Sequence, residues 1–289
     1  MLMKRINRSY RYFNAVNLVI MVLICACVIF PFLYMLSISL SSSAAVMGRK
    51  VLFFPVELNF EAYRKTFQYP GFFRGFANAF SQTGTGVVIG LFMLSICAYP
   101  LSKTKLKGRN VLLGFIIFTM FFTRTLIPTY MLVKGLKIMD SIWAIVLPFC
   151  ISPYYLLLVM TFFKTIPVSI EESAQIDGLN PIQILFRIVL PNSKPILATM
   201  FMFLFVDYWN NWFNSMIYLD SPAKYPIMLI VRNIVTGTGV PNEAAGASNI
   251  AASSLQSSAI LVSLIPVMAI FPFAQKFFVK GIMLGAIKG

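Results

Sequence analysis

Apolar residues in this chain come in long blocks, not in the short alternations of strands or the narrow stripes of soluble helices. Blocks of about 20 apolar residues match the hydrocarbon thickness of a bilayer. Six can be traced, at 15–36, 77–101, 111–132, 141–163, 196–219 and 258–279. The pattern predicts an all-α membrane protein with six transmembrane helices in a single domain, 1–289. The fourth and fifth blocks are the most uniform. The second is diluted by Gly84, Gly86 and Gly90, small residues that often mark close helix packing in a bilayer. The first follows Lys4, Arg5, Arg8 and Arg11 and precedes Ser41, Ser42, Ser43, Ala44 and Ala45, as in a cleaved signal peptide. Its apolar stretch of about 20 residues exceeds the usual 7–15, so it reads as a retained span.

Composition sharpens this. Charged residues make up 11% of the chain and hydrophobic ones 58%, with mean hydropathy +0.80. A soluble domain carries about 25% charged residues, so a soluble enzyme is excluded. There is no histidine, which removes Ser-His-Asp and Cys-His triads and His-ligated metals. Cys25, Cys27, Cys97 and Cys150 all lie inside apolar blocks and read as small buried hydrophobes, not as a metal site.

The formal charge is +15. On a soluble protein that would suggest nucleic acid; here the basic residues sit between apolar blocks, so no nucleic-acid partner is expected. They instead orient the chain, because cytoplasmic loops collect Lys and Arg. Four fall in the first eleven residues, and four more are Lys103, Lys105, Lys107 and Arg109. With both clusters cytoplasmic, that side holds 14 basic residues against 9 outside. Both termini then face the cytoplasm.

The stretch 164–195, between the fourth and fifth blocks, is far longer than the two to eight residues usual between bundled helices. It is strongly punctuated. Pro167 ends the preceding helix, and Ser169 with Glu172 three residues on reads as a capping box. Glu171 and Glu172 suit the positive end of the new helix. Gly178 can supply the left-handed residue that stops it. Asn180 and Pro181 restart a second helix as N-cap and first helical residue. Ile182, Leu185, Phe186 and Val189 are expected on one side of it. The result is a helix, a Gly turn and a helix, either lying on the bilayer surface or docking a cytoplasmic partner.

Glu172-Ser173-Ala174, three residues, Gly178, nine residues, Ile188-Val189-Leu190-Pro191 resembles the Glu-Ala-Ala motif of ABC importer permeases in both spacing and placement. Ser173 departs from the usual alanine but stays small. The tail from Gln275 to Ile282 and from Gly285 to Gly289 is similar to that of maltose-type carbohydrate permeases, as is Trp209-Asn210 followed by Phe213. The resemblance covers nearly the whole chain. It implies the type I ABC importer permease fold, with a coupling-helix loop that seats on an ATPase. It assigns coupling to Glu171, Glu172, Ser173, Ala174, Asp177, Gly178, Ile182, Leu185, Phe186, Ile188, Leu190 and Pro191. It also implies a second homologous permease, two cytoplasmic ATPases that bind ATP and Mg, an extracytoplasmic solute-binding protein, a sugar substrate and a bacterial cell membrane. The chain has no phosphate-loop motif of its own and needs no cofactor.

Ionisable residues inside spans are costly and are functional candidates. Arg124 and Asp207 qualify, at about 20 and 17 Å from the cytoplasmic end by helical rise, close enough in depth to pair. Asp207, Asn210, Asn211 and Asn214 recur at helical spacing on one face. With Tyr208, Trp209 and Trp212 they offer the amides, carboxylate and aromatic faces that sugars need. Hydrogen bonding between helices would use the same residues. An ABC permease for a non-sugar solute remains an alternative. A secondary transporter would show inverted repeats, and no convincing internal repeat is present.

Overall fold

The computed structural model describes residues 8–121, 125–238 and 251–286. Arg124, Lys4, Arg5 and the final three residues lie outside that set. Every regular element among the described residues is helical. The chain divides into two compact units, one from residues 1–70 and 233–263, the other from 71–232 and 264–289.

In the first unit, α1 (Arg8–Ser39) carries an apolar surface all round; an 18-residue window within Tyr12–Ser39 has mean hydropathy 2.8 with no residue buried within the chain, and burial begins at Ser37, Ile38 and Ser39 at the helix end. Such a helix has no preferred inner face and is at home in lipid or against other spans. The serines at its end and just beyond it fold the chain back on itself. Ser37 Oγ donates to Phe53 O at 2.7 Å, Ser41 Oγ accepts from Val56 N at 3.0 Å, and Ser39 and Tyr63 share a hydroxyl bond of 2.9 Å. Ser42 caps the short α2 (Ser43–Met47), and Ile38, Ala45 and Val51 bury together beneath it. The small-residue run is thus part of a structured turn. α3 (Glu61–Gln68) joins this unit through Thr66 Oγ1, 2.6 Å from Ser258 Oγ.

The second unit is organised on α4 (Phe72–Ser102), one unbroken helix covering the second expected span. Its glycines make it a contact helix. A Cβ at Gly86 would lie 2.6 Å from the Tyr208 ring, and one at Gly90 would lie 3.0 Å from Leu204. Only a residue without a side chain admits that approach. Gly84, in contrast, faces open space.

Three expected spans are broken where a single helix was anticipated. The third consists of α5 (Arg109–Phe121) and α6 (Leu126–Gly135). Pro128 falls in the first turn of α6, where its missing N–H costs no hydrogen bond. The fourth is α7 (Ile142–Val146), a tight turn at Leu147–Phe149, and α8 (Pro153–Phe163), with 54° between the two halves. Pro148 and Pro153 account for the break, since neither can donate to a continuous helix.

The fifth expected span, 196–219, is likewise divided. The helix preceding it belongs to the 164–195 loop and is described below. α12 (Lys194–Trp209) stops at Asn210, and α13 (Trp212–Tyr218) starts after Asn211, whose side chain accepts from Asn214 N. α14 (Ile227–Thr236) is amphipathic, and α15 (Ala252–Ala286) contains the sixth expected span. α4 packs mainly on α12 and α8.

One carboxylate ties two loops together. Asp140 Oδ1 accepts from the N–H groups of Asp220 (3.1 Å) and Ser221 (3.0 Å), and Oδ2 accepts from Ser221 Oγ (2.7 Å) and Lys224 Nζ (2.6 Å). The Lys224 ammonium and the Ser221 hydroxyl hold the Asp140 carboxyl far below the usual carboxylate range. A lowered value in the folded state means that the ionised group stabilises the fold at neutral pH. That gain fades as pH drops below about 4, where the unfolded chain takes up its proton more readily. Asp140 has φ 51°, which asparagine also adopts. Asp140→Asn should therefore melt earlier than the parent at pH 7 in detergent, with the gap smaller at pH 3 and narrowing further as pH falls. An equal gap at both pH values would show that the charge is not what matters.

Candidate functional site

The 164–195 loop folds largely as its punctuation dictates. α9 (Val168–Ile176) ends in a Schellman arrangement, with Leu179 N donating to Ala174 O and Gly178 N to Gln175 O, both at 3.0 Å. Gly178 takes φ +83°, the left-handed conformation expected of it. Asn180 Oδ1 accepts from Gln183 N at 2.9 Å while Asn180 N donates to Gln183 Oε1 at 3.0 Å, a full capping box for α10 (Pro181–Ile184).

Two expectations for this loop are corrected. Ser169 is not the N-cap of α9: helical geometry begins at Val168 after extended Pro167, and no side chain caps the end. Only Glu171 lies in the first turn. Second, Ile182, Leu185, Phe186 and Val189 do not form one ridge. Leu185–Val189 is a wide π-turn in which Leu190 N reaches back to Leu185 O. Pro191 follows, and its ring excludes the carbonyl four residues earlier, so the preceding turn opens. The phase shift turns Leu185 and Val189, with Ile184, into the core, while Ile182 (69% exposed) and Phe186 (44%) stay outside. Ala174 is buried, Ile188 and Leu190 are half-buried, and Glu172, Ser173, Asp177 and Pro191 are exposed. After α11 (Leu190–Asn192) the chain turns by 84° into α12.

Glu171 behaves unlike its neighbour. It is 6% exposed, pairs with the Lys103 ammonium and accepts from Tyr99 Oη at 3.2 Å.

The other end of α12 opens on a cavity of about 310 Å³ lined by Phe149, Ser152, Tyr155, Asp207, Asn211 and Asn214, with Leu204 and Tyr208 completing the wall. Tyr155 Oη donates to Asp207 Oδ2 at 2.7 Å. Three of the four residues expected on one face, Asp207, Asn211 and Asn214, do converge here. Asn210 does not, because the helix breaks at that residue and its carbonyl accepts from Trp212 N at 2.8 Å. Tyr208 lines the wall and its hydroxyl donates to Val146 O at 3.2 Å.

The two tryptophans face elsewhere. Trp209 is buried in an aromatic stack, 5.7 Å from Phe205 and 5.1 Å from Phe80 between ring centroids. Trp212 lies under the Arg232 guanidinium at 5.3 Å. Both were expected beside the amides; a helix that ends at Trp209 rotates them away from the cavity. Arg124, proposed as the partner of Asp207, lies outside the described residues. Sequence reasoning missed Tyr155, Ser152 and Phe149. They come from a different span, and only the bend at Pro148 and Pro153 brings them to the cavity; that proline pair was the available signal.

Apolar helices long enough to cross a membrane, with a polar cavity at a broken helix end, define the class: a polytopic membrane protein. Residues 86–284 match the family described as binding-protein-dependent transport system inner membrane component, and the chain belongs to it. It is 35% identical to the protein LplC of Bacillus subtilis over 98% of this chain and 97% of that one. It is 36% identical to YtcP of the same organism, a polygalacturonan/rhamnogalacturonan transport system permease protein, over 94% of this chain and 96% of that one. Among solved structures it resembles a chain of a bacterial ABC transporter involved in import of the acidic polysaccharide alginate, with TM-score 0.88, 33% identity, and coverage of 94% of this chain and 98% of that one. The chain is thus a permease subunit of an ABC importer, embedded in the membrane, and not itself an enzyme.

Proposed function

We propose that this subunit forms one half of the path by which an oligosaccharide enters the cell. The carrying observation is the cavity at the broken end of α12, where a carboxylate, two amides, two tyrosines and a phenylalanine meet. Amides and carboxylates suit sugar hydroxyls, and aromatic faces suit the apolar side of a pyranose ring. The named substrates of relatives point the same way: polygalacturonan or rhamnogalacturonan for YtcP, and arabinooligosaccharides for AraQ, 26% identical over 90% of the chain.

The other half of the path is a second homologous permease. Two cytoplasmic ATPases bind ATP and Mg, and an extracytoplasmic binding protein delivers the sugar. Both termini and the 164–195 loop face the cytoplasm. The exposed Glu172, Ser173, Asp177, Ile182 and Phe186 meet the ATPase, and closure of the ATPase dimer moves the spans to open the cavity outward. Within the loop, Gly178 sets the angle between α9 and α10, Ala174, Leu185, Ile188 and Leu190 anchor both to the spans, and Pro191 opens the turn that precedes α12.

The test is reconstitution of the whole assembly in liposomes with its binding protein. ATP hydrolysis should be stimulated by oligosaccharides from a polygalacturonan or arabinan digest and not by amino acids. Stimulation by amino acids alone would replace the sugar reading with a non-sugar one.

A further inference from the structure

The two adjacent glutamates of the coupling loop point in opposite directions. Glu172 is exposed, while the Glu171 side chain is only 7% exposed and closes against the end of α4. There it pairs with Lys103 and accepts from Tyr99 Oη, and the Lys103 ammonium sits 4.4 Å from the centre of the Tyr99 ring. Tyr99 and Lys103 are one turn apart, so the three groups form a closed unit in which each holds the other two. This carboxylate is therefore already engaged within the chain before any ATPase docks.

We propose that Glu171 is a positioning residue that fastens α9 to the end of α4, so that displacement of the loop is passed to α4 and from there to the cavity. This rests on the reading of the cavity as the transport path. The load path is continuous. From Tyr99, α4 runs as regular helix for about 20 Å to Gly86, at 1.5 Å per residue. Gly86 lies directly on the Tyr208 ring, which forms part of the cavity wall. Close packing leaves no slack at that contact: the ring cannot yield without moving α12. At the other end, the ion pair resists separation because the buried Glu171 carboxylate would be left uncompensated, while Lys103 keeps part of its surface in water.

The experiment uses membrane vesicles holding the complete transporter, with Ser152→Cys as a reporter on the cavity wall and the four native cysteines replaced. Labelling by a membrane-impermeant maleimide is compared with and without ATP. Glu171→Gln and Lys103→Met should each retain the ATPase subunits at the parent level, yet shrink the ATP-dependent change in labelling about fivefold, as for residues that carry coupling between sites. The reversed pair, Glu171→Lys with Lys103→Glu, should restore most of it. Loss of the ATPase in Glu171→Gln would make Glu171 a docking contact and overturn the proposal. So would an undiminished ATP response in Glu171→Gln, or a reversed pair no better than the single variants. If the reporter with Glu171 intact ignores ATP while the ATPase is bound, the reading of this cavity as the transport path fails, and that is visible before any variant is examined.

Discussion

Gly178→Val is expected to leave the chain in the membrane and to lower ATP-driven uptake at least tenfold, while Gly178→Asn stays close to the parent. The reason is conformational. Gly178 has φ +83°, and nothing lies within 4 Å of where its Cβ would be. A side chain therefore meets no neighbour within the chain; the penalty comes from the backbone. Left-handed geometry costs an ordinary L-residue about 1–2 kcal/mol, and a β-branched residue tolerates it worst. Valine would break the Schellman turn and swing α10, with Ile182 and Phe186, away from its set angle to α9. Asparagine visits the left-handed region readily and should preserve the turn. Uptake and ATP hydrolysis measured on the same liposomes would separate uncoupling from loss of assembly. If asparagine is as harmful as valine, the glycine serves close approach of a partner and not chain geometry.

The second large effect is expected at Asp207. Asp207→Ala should reduce uptake efficiency about tenfold to a hundredfold, the effect of removing a charged hydrogen-bond partner worth about 1.5–3 kcal/mol. Asp207→Asn, which keeps an acceptor for Tyr155 Oη, should lose less, and Tyr155→Phe less still. The loss should appear chiefly as weaker dependence on sugar concentration in transporters that retain their ATPase. Unchanged transport kinetics in Asp207→Ala would remove this cavity from the path.

Much of this was legible from residue order because the relevant interactions are local. Capping by Asn180 and Pro181 and stopping by Gly178 depend on residues within a turn of one another, and both formed as spaced. The same logic failed at Ser169, where extended Pro167 and the capture of Glu171 by Tyr99 and Lys103 set the start of α9. Periodicity failed between Leu185 and Val189 because Pro191 widened the preceding turn, a change of phase that a count of 3.6 residues cannot carry. It failed again past Trp209, where the break at Asn210 kept Asp207, Asn211 and Asn214 together and sent Trp209 into the core.

By itself the sequence determined the class of molecule, the Gly-turned loop and the scarcity of ionisable residues that marked Asp207. These follow from bulk hydropathy and from backbone preferences within a few residues. Tertiary structure alone decided which side chains share the cavity, that Tyr155 from α8 meets Asp207 from α12, and that Glu171 turns inward while Glu172 stays exposed. Those outcomes depend on where helices bend and on contacts between residues far apart in the chain, 72 positions in the case of Tyr99 and Glu171. No local pattern encodes such a distance; it is set when Gly86 lets α12 close on α4 and the proline breaks aim the ends of the spans.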